Sequence, residues 1–525
     1  MIKILKVILL LVILVSYSCK KSDDQPVPIT RIDYKEENIP DFSYVGYKRS
    51  EVPIPFVEEK IVLNADGEND YARIQDAINT LAKLPLNNGF RGAILLKAGT
   101  YYINNTIRIT SSGIVLRGEG QGQNGTILVD TRNGKSIPSQ IQSRKEQSLI
   151  ALIGNTKSFV SLGLEARIQT SHVKVGAREV ELTDNPGFQV GDTISVIKTT
   201  NSKWIEMLDM AQYGWTPNLY QLGHPRVISA IESNRIHFDV PMVDQIIENE
   251  GGGKILKISY PGRISNSGIE NLRVETVYDG AEDEMHIWNA IHLIGVENCW
   301  VRNVTGKYFV FSLVGLYNES SFNTIQDCAM LESKSIPTGN RRYPFYIDKG
   351  TGNLFQRCYS KDGRHDFVTG SRVAGPNVFL DGYALNSLNE TGPHHRWATG
   401  TLYDNIYAGI IAARNRGAGG DGHGWAGAFN MFWNCLATVA FKIENPPGSI
   451  NWLIGGVGNI AGDSYTASIG HPVEPRSLFI KQLTDRIGES KIKNIFIDKQ
   501  LTNSTIWNDL AAWAGNEKAL KTIRQ

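Results

Sequence analysis

A short motif returns at regular intervals through the second half of the chain, and it restricts the fold more than any other feature. Asn-Thr-Ile-Gln-Asp-Cys at 323–328 matches Asn-Leu-Phe-Gln-Arg-Cys at 353–358, Asn-Val-Phe-Leu-Asp-Gly at 377–382 and Asn-Met-Phe-Trp-Asn-Cys at 430–435. Thr-Leu-Tyr-Asp-Asn at 401–405 fills the gap, and Gly-Ile-Glu-Asn at 268–271 aligns with Gly-Val-Glu-Asn at 295–298. The register positions 271, 298, 323, 353, 377, 401 and 430 lie 24 to 30 residues apart. A period of that length reads as one coil per repeat, with coils stacked at the strand spacing of a sheet, roughly 4.8 Å. Asn at one phase of each coil then forms a side-chain ladder. Cys328, Cys358 and Cys435 share another phase and read as small apolar core residues rather than disulfide partners.

The N-terminal part shows how such a stack begins. Ile74, Ala77, Ile78 and Leu81 recur at helical spacing, so residues 70–84 read as an amphipathic helix. Short β runs at 92–101, 107–109 and 114–118 follow, separated by Gly, Asn and Ser. The segments Asp-Gly at 66–67 with Ile-Gln-Asp-Ala-Ile at 74–78, Leu-Lys-Ala-Gly-Thr-Tyr-Tyr-Ile at 96–103 and Gly-Ile-Val-Leu-Arg-Gly-Glu-Gly at 113–120 resemble the entry of pectate-lyase-superfamily proteins. That resemblance implies an all-β, right-handed parallel β-helix whose open end is capped by the amphipathic helix. An uncapped end would expose apolar core and unpaired strand edges. Residues 171–250 break the pattern with alternation and Gly-Asp turns, and read as an inserted β-rich unit lying against the helix. Its Trp204, Tyr213, Trp215 and Tyr220 read as packing first and as a sugar platform second.

The first residues read as an export signal. Lys3 and Lys6 precede an apolar run from Ile8 to Val15, too short to span a bilayer. Cys19, followed by a polar stretch, resembles a bacterial lipoprotein box and is the expected lipidation site. The expected organisation is signal peptide 1–18, tether 19–50, N-terminal cap and first coils 51–170, insertion 171–250, coils with a groove 251–450, and a C-terminal cap region 451–525. Within the last, residues 476–488 read as a helix that caps the stack or packs on its side. The chain is expected outside the cytoplasm, lipid-anchored at the outer membrane and monomeric, touching membrane only through that anchor. A net charge of +1 gives nucleic-acid binding no support.

Six of the ten histidines fall between 286 and 423. Counting seven back from the register positions gives Tyr346, Gly370, His394 and His423; counting five back gives Asp348, Arg372, Arg396 and Trp425. Residues two apart on a strand share a face, so these columns predict one patch. Its proton-transfer candidates are His394, His395, His365 and Tyr346. Its substrate-binding candidates are Arg372, Arg396, Arg364, Arg342, Lys349, His423 and Trp425. Breaking a uronate chain by β-elimination requires a base for the C5 proton, cations to neutralise the adjacent carboxylate and a proton donor for the leaving oxygen. His, Arg and Tyr supply these roles. The expected substrate is therefore an acidic, uronate-containing polysaccharide, sulfated or not, or its oligosaccharides, acted on by a lyase or a uronate dehydratase. The alternatives are a polygalacturonase-like glycoside hydrolase, which needs two placed carboxylates, and a non-catalytic surface glycan-binding β-helix. No cofactor is required by this reading. Ca²⁺ is the one ion the sequence admits, at the acidic run Asp279, Glu282, Asp283 and Glu284 before His286.

Overall fold

The computed structural model describes residues 30–35, 39–154, 159–502 and 505–516. The expected signal peptide and lipidation site, Cys19, lie outside the described residues. Each repeat is one coil of a right-handed parallel β-helix. Trp300–Lys307 pairs in parallel with Gly268–Thr276 on one side and with Thr324–Leu331 on the other. Leu354–Gln356, Ala374–Leu385, Ala398–Ala413, Met431–Trp433 and Trp452–Ile454 continue that stack. A second stack runs through Ser148–Ile153, Asn289–Ile294, Ser312–Tyr317, Phe345–Ile347, Phe367–Ser371 and Glu390–His395. Alternate residues of both stacks point inward and make one apolar core along the axis, including Ile291, Leu316, Phe345 and Phe367.

The Asn ladder is present. Asn323 N–H and Nδ2 donate to Asn353 Oδ1 at 3.2 and 3.0 Å, and Asn353 N–H and Nδ2 donate to Asn377 Oδ1 at 3.0 and 3.2 Å. Thr401 N–H donates to Asn430 Oδ1. The upstream alignment needs correction. Asn271 is level with Asn303, whose Nδ2 donates to it at 2.7 Å, while Cys299, not Asn298, is level with Asn323. The matching letters at 268–271 and 295–298 occupy different phases of their coils. The ladder also runs one coil further than the motif does: Asn430 donates to Asn451, and Tyr465–Ala467 pairs with Trp452–Ile454. Coils thus continue into the expected cap region. Cys328, Cys358 and Cys435 are inward-facing and free, as is Cys299.

Tyr71–Ala82 is the N-terminal helix, with Ile74, Ile78 and Leu81 buried on the first coils. Each such side chain contributes roughly 1.5–3 kcal/mol on leaving water. Leu478–Ile487 packs on the side of the stack, with Ser477 Oγ accepting from Ile480 N–H at its start. Thr30–Arg31 pairs with Val473–Glu474, and Phe42 and Val45 pack in the same layer as the helix, so part of the expected tether lies along the fold. The insertion is wider than 171–250. Its six-stranded antiparallel sheet begins at Val160–Arg167 and ends at Gly253–Ser259. Trp204, Trp215 and Tyr220 are buried where it meets the coils, against Trp397 and neighbouring apolar residues.

Candidate active site

The outward side chains of the second stack form one face, and the true register rearranges the expected columns. Tyr346 is level with Val368 and Gly392, while Asp348 is level with Gly370 and His394, and Lys349 with Ser371 and His395. Tyr346 is thus one side-chain step from His394 along the same face. Phe345–Ile347 and Phe367–Ser371 follow turns of different length, which shifts a count made from the Asn ladder.

Four histidines converge here. The His365 and His394 rings are 4.4 Å apart, His394 and His395 5.1 Å, His394 and His423 5.1 Å, and His395 and His423 4.7 Å. His365 Nδ1–H donates to the Glu390 carbonyl at 2.6 Å, which fixes the tautomer and leaves the Nε2 lone pair buried with no partner. Arg416 Nη1 lies 2.6 Å from His394 Nδ1 and 3.2 Å from Nε2; with the nearer Nδ1 as acceptor, Nε2 carries the proton and faces the Tyr343 hydroxyl at 3.2 Å. Arg364 donates to the same hydroxyl at 3.5 Å. With two donors on its oxygen, the Tyr343 O–H proton is left to point at a ligand. The Glu390 carboxylate takes Arg414 at 2.6 Å and lies 3.8 Å from Arg416, holding the two arginines together.

The titration preferences separate acid from base. Burial, with arginines and neighbouring histidines adding to it, holds His365 and His394 well below the ordinary imidazole value. The same causes bring His395 to about 3, and burial with Arg416 and Arg396 brings His423 to about 4. Burial raises the Tyr343 phenol, against the pull of Arg364 and Arg416. At neutral pH the imidazoles are therefore bases in their free form and the phenol holds its proton. Pairs pushed apart in this way mark acid and base partners.

Of the expected residues, the structure gathers His365, His394, His395, His423 and Arg364. Tyr346, as buried as Tyr343, donates to Asp348 Oδ1 at 2.6 Å, so its proton is engaged. Lys349 donates to the Ser371 carbonyl at 2.6 Å. Arg372 donates to the Leu219 carbonyl and lies over the Tyr220 ring; Arg396 donates to the Asp421 carbonyl. Arg342 turns away to Ser335, and Trp425 donates to the Leu208 carbonyl of the insertion. Arg342 and Trp425 are thus tied into the scaffold. Arg364, Arg372, Arg396 and Lys349 have no carboxylate within ion-pair distance among the described residues, whereas cations elsewhere mostly have one. Glu390 is missed in the sequence, and Tyr343 and Arg416, which stand there among the residues around the histidines, are given no role. Tyr343 lies in the turn before its strand and Arg416 in the loop after position 401, where the periodic count gives no phase. In the acidic run, Glu284 pairs with Arg341, and Asp283 accepts the Asp279 and Met285 N–H groups. Among the described residues no three His, Cys, Asp or Glu side chains are grouped as metal ligands.

Comparison with known proteins adds resemblance at low identity. No family model matches the chain. A probable pectinesterase/pectinesterase inhibitor of Arabidopsis thaliana is 24% identical over 196 residues, 32% of this chain and 37% of that protein. The tailspike protein gp49 of Pseudomonas phage LKA1 superposes at a TM-score of 0.42 with 14% identity, covering 75% of this chain and 64% of that one. Polygalacturonase from Erwinia carotovora superposes at 0.34 with 11% identity, covering 80% and 98%. The chain spans about a third of the curated relative it matches. The fold rests on the strand pairing of the chain itself, and the site on its own geometry.

Proposed function

We propose that this protein is an exported enzyme, anchored through Cys19, that breaks down an acidic, uronate-containing polysaccharide or its oligosaccharides by β-elimination. The observation that carries the reading is the Tyr343 hydroxyl held by His394 and Arg364 beside the unpartnered His365 Nε2. In the proposed step His365 takes the C5 proton. The electrons of that C–H bond form the C4–C5 double bond, and the C4–O bond breaks. Tyr343 gives its proton to the departing oxygen, which is a sugar in a lyase and water in a dehydratase. Arg364 and Arg416 neutralise the carboxylate next to C5, where negative charge grows in the transition state. Hydrolysis by paired carboxylates is disfavoured because the two acids of this face, Asp348 and Glu390, are engaged by Tyr346 and Arg414.

The test is incubation of the protein with a panel of uronate polymers and their oligosaccharides, followed at the ultraviolet band of unsaturated uronates and by mass. Unsaturated products are expected from at least one of them. Saturated products with a gain of water would replace this reading by hydrolysis, and binding without turnover would replace it by a glycan-binding role.

A further inference from the structure

We infer that the protein holds a stretch of acidic sugar chain on an exposed aromatic platform outside the histidine cluster, made by Tyr278, Tyr308 and Lys334. The inference rests on the proposed acidic polysaccharide and not on the elimination step. The platform lies on the turn that leaves the first stack of strands. Gly268–Thr276 leads into Tyr278, Trp300–Lys307 into Tyr308 and Thr324–Leu331 into Lys334. Tyr359–Lys361, paired next to Thr324–Leu331, leads into Arg364. The same turn of four successive coils therefore carries the platform and a cation of the candidate site. Tyr308 stands two coils and Tyr278 three coils from the level of Arg364, at roughly 4.8 Å per coil.

Tyr308 is out of place as a turn residue. Its φ is +76°, and the residues level with it, Glu332, Asp362 and Asn386, turn through the same left-handed region at +55°, +57° and +55°. Asn and Asp tolerate that conformation, whereas a bulky ring in it is an outlier. The turn thus gives no reason for a tyrosine. The interior gives none either. The Tyr308 ring meets that of Tyr278, with centroids 4.8 Å apart and planes tilted by 46°. Among the described residues neither ring joins an apolar cluster of the core, and Tyr278 is 42% exposed. A costly conformation that serves neither turn nor core is what a binding surface retains.

The chemistry of the surface selects the ligand. Tyrosine rings offer flat apolar area whose negative faces attract the C–H groups of a sugar ring, with a hydroxyl at the edge for a sugar oxygen. Lys334 sets the charge. Its ammonium lies 4.8 Å from the Tyr278 centroid and 5.4 Å from that of Tyr308, and no carboxylate is within ion-pair distance of it among the described residues. Lys307, also against the Tyr308 ring, is by contrast matched by Glu332 at 2.5 Å. A sugar stacked on Tyr278 therefore meets one unmatched cation, which fits a carboxylate or sulfate on that sugar.

The experiment is affinity electrophoresis of the full chain in gels carrying polygalacturonate, alginate or chondroitin sulfate, with a neutral glucan as control. The parent should be retarded by at least one acidic polymer and not by the glucan. Tyr308→Asn removes the ring and supplies a residue that suits the turn, so its melting temperature should not fall. Tyr308→Asn, Tyr278→Ala and Lys334→Gln should each weaken the retardation about tenfold. Where the polymer is turned over, KM should rise by that factor, while kcat and KM for its shortest cleaved oligosaccharide stay at the parent's values. A parent that no acidic polymer retards, or retardation that survives in both tyrosine variants, overturns the platform even if unsaturated product forms. Equal retardation by the glucan overturns the assignment of an acid group to Lys334. Retardation lost in the variants with no unsaturated product from any polymer overturns β-elimination alone and leaves the platform standing.

Discussion

Tyr343 and His292 show how single buried side chains take opposite parts on one sheet face. Tyr343 packs on Phe311 with ring centroids 5.0 Å apart, so Tyr343→Phe keeps the packing and removes only the hydroxyl. Loss of a proton-transfer group costs ~10²–10⁴ in rate; kcat should fall by that factor in the folded enzyme, beside a drop in melting temperature from leaving the His394 donor without its acceptor. Tyr346→Phe should instead lower the melting temperature more than the rate, since it strips Asp348 of its buried donor. If Tyr346→Phe were the slower enzyme, the two tyrosines would exchange roles. The pH dependence follows from the same environments. kcat/KM reports the free enzyme, and the base is active as neutral imidazole, so its acidic limb should lie well below the ordinary 6.5. A limb at 6.5 or above would exclude His365 as base. His292 is buried against Tyr317, its Nε2 has no partner, and burial pushes its imidazole down to about 3 from 6.5. Because the folded value is depressed, its contribution is complete above 6.5 and is lost as pH falls toward 3. Between about pH 7.5 and pH 5 that loss is about 2 kcal/mol. His292→Phe removes the titration, so the stability of the variant relative to the parent should improve by about that amount over the same interval in urea unfolding. An unchanged difference would mean that the ring is hydrated and titrates normally.

The coil is the element that the sequence makes most legible, and also the one that shows where reading letters stops. Asn353 holds both neighbours of its ladder through backbone and side-chain bonds. Asn353→Ala leaves buried backbone and side-chain groups of adjacent coils unpaired, at about 1–3 kcal/mol for each group stranded. Equilibrium unfolding should show a loss of that size or more, and a neutral result would mean that the ladder adds no stability. Phase was readable wherever one side chain had to perform the same task in each coil, as Asn323, Asn353 and Asn377 do, and as Cys328, Cys358 and Cys435 do in the core. It failed at Asn298, where a turn residue happened to share its neighbours' letters, and at Asn451, whose flanking motif has changed while its hydrogen bonds have not. The site was legible as a set of residue types and not as a set of contacts. His365, His394, His395 and His423 lie together because neighbouring coils bring them level, but Glu390 and Arg416 enter through a strand end and a loop whose lengths break the period. Turn length sets which side chain meets which, and no periodic count contains it.

Over the whole molecule, charge is nearly balanced at +1, so any field that draws in an anion has to come from local placement. Most buried cations away from the site are matched: Arg117 with Glu270 at 2.6 Å, Arg357 with Asp327 at 2.7 Å, and Arg476 with Asp381. Those around the site, Arg364, Arg372, Arg396 and Lys349, have no such partner among the described residues and are only half-buried. The two groups should respond differently to salt. Screening shortens from about 10 Å at 0.1 M to about 3 Å at 1 M ionic strength, and it acts on exposed charges far more than on buried pairs. Raising salt should therefore lower kcat/KM on the acidic substrate, chiefly through KM, while the melting temperature stays nearly constant. Arg372→Ala and Arg396→Ala should each flatten the salt dependence, because each removes one of the charges being screened, whereas charge-neutral changes on the far side of the coils should leave it unaltered. A salt response that persists in full when both arginines are removed would place the attraction elsewhere on the surface, and an enzyme indifferent to salt would argue for a neutral substrate.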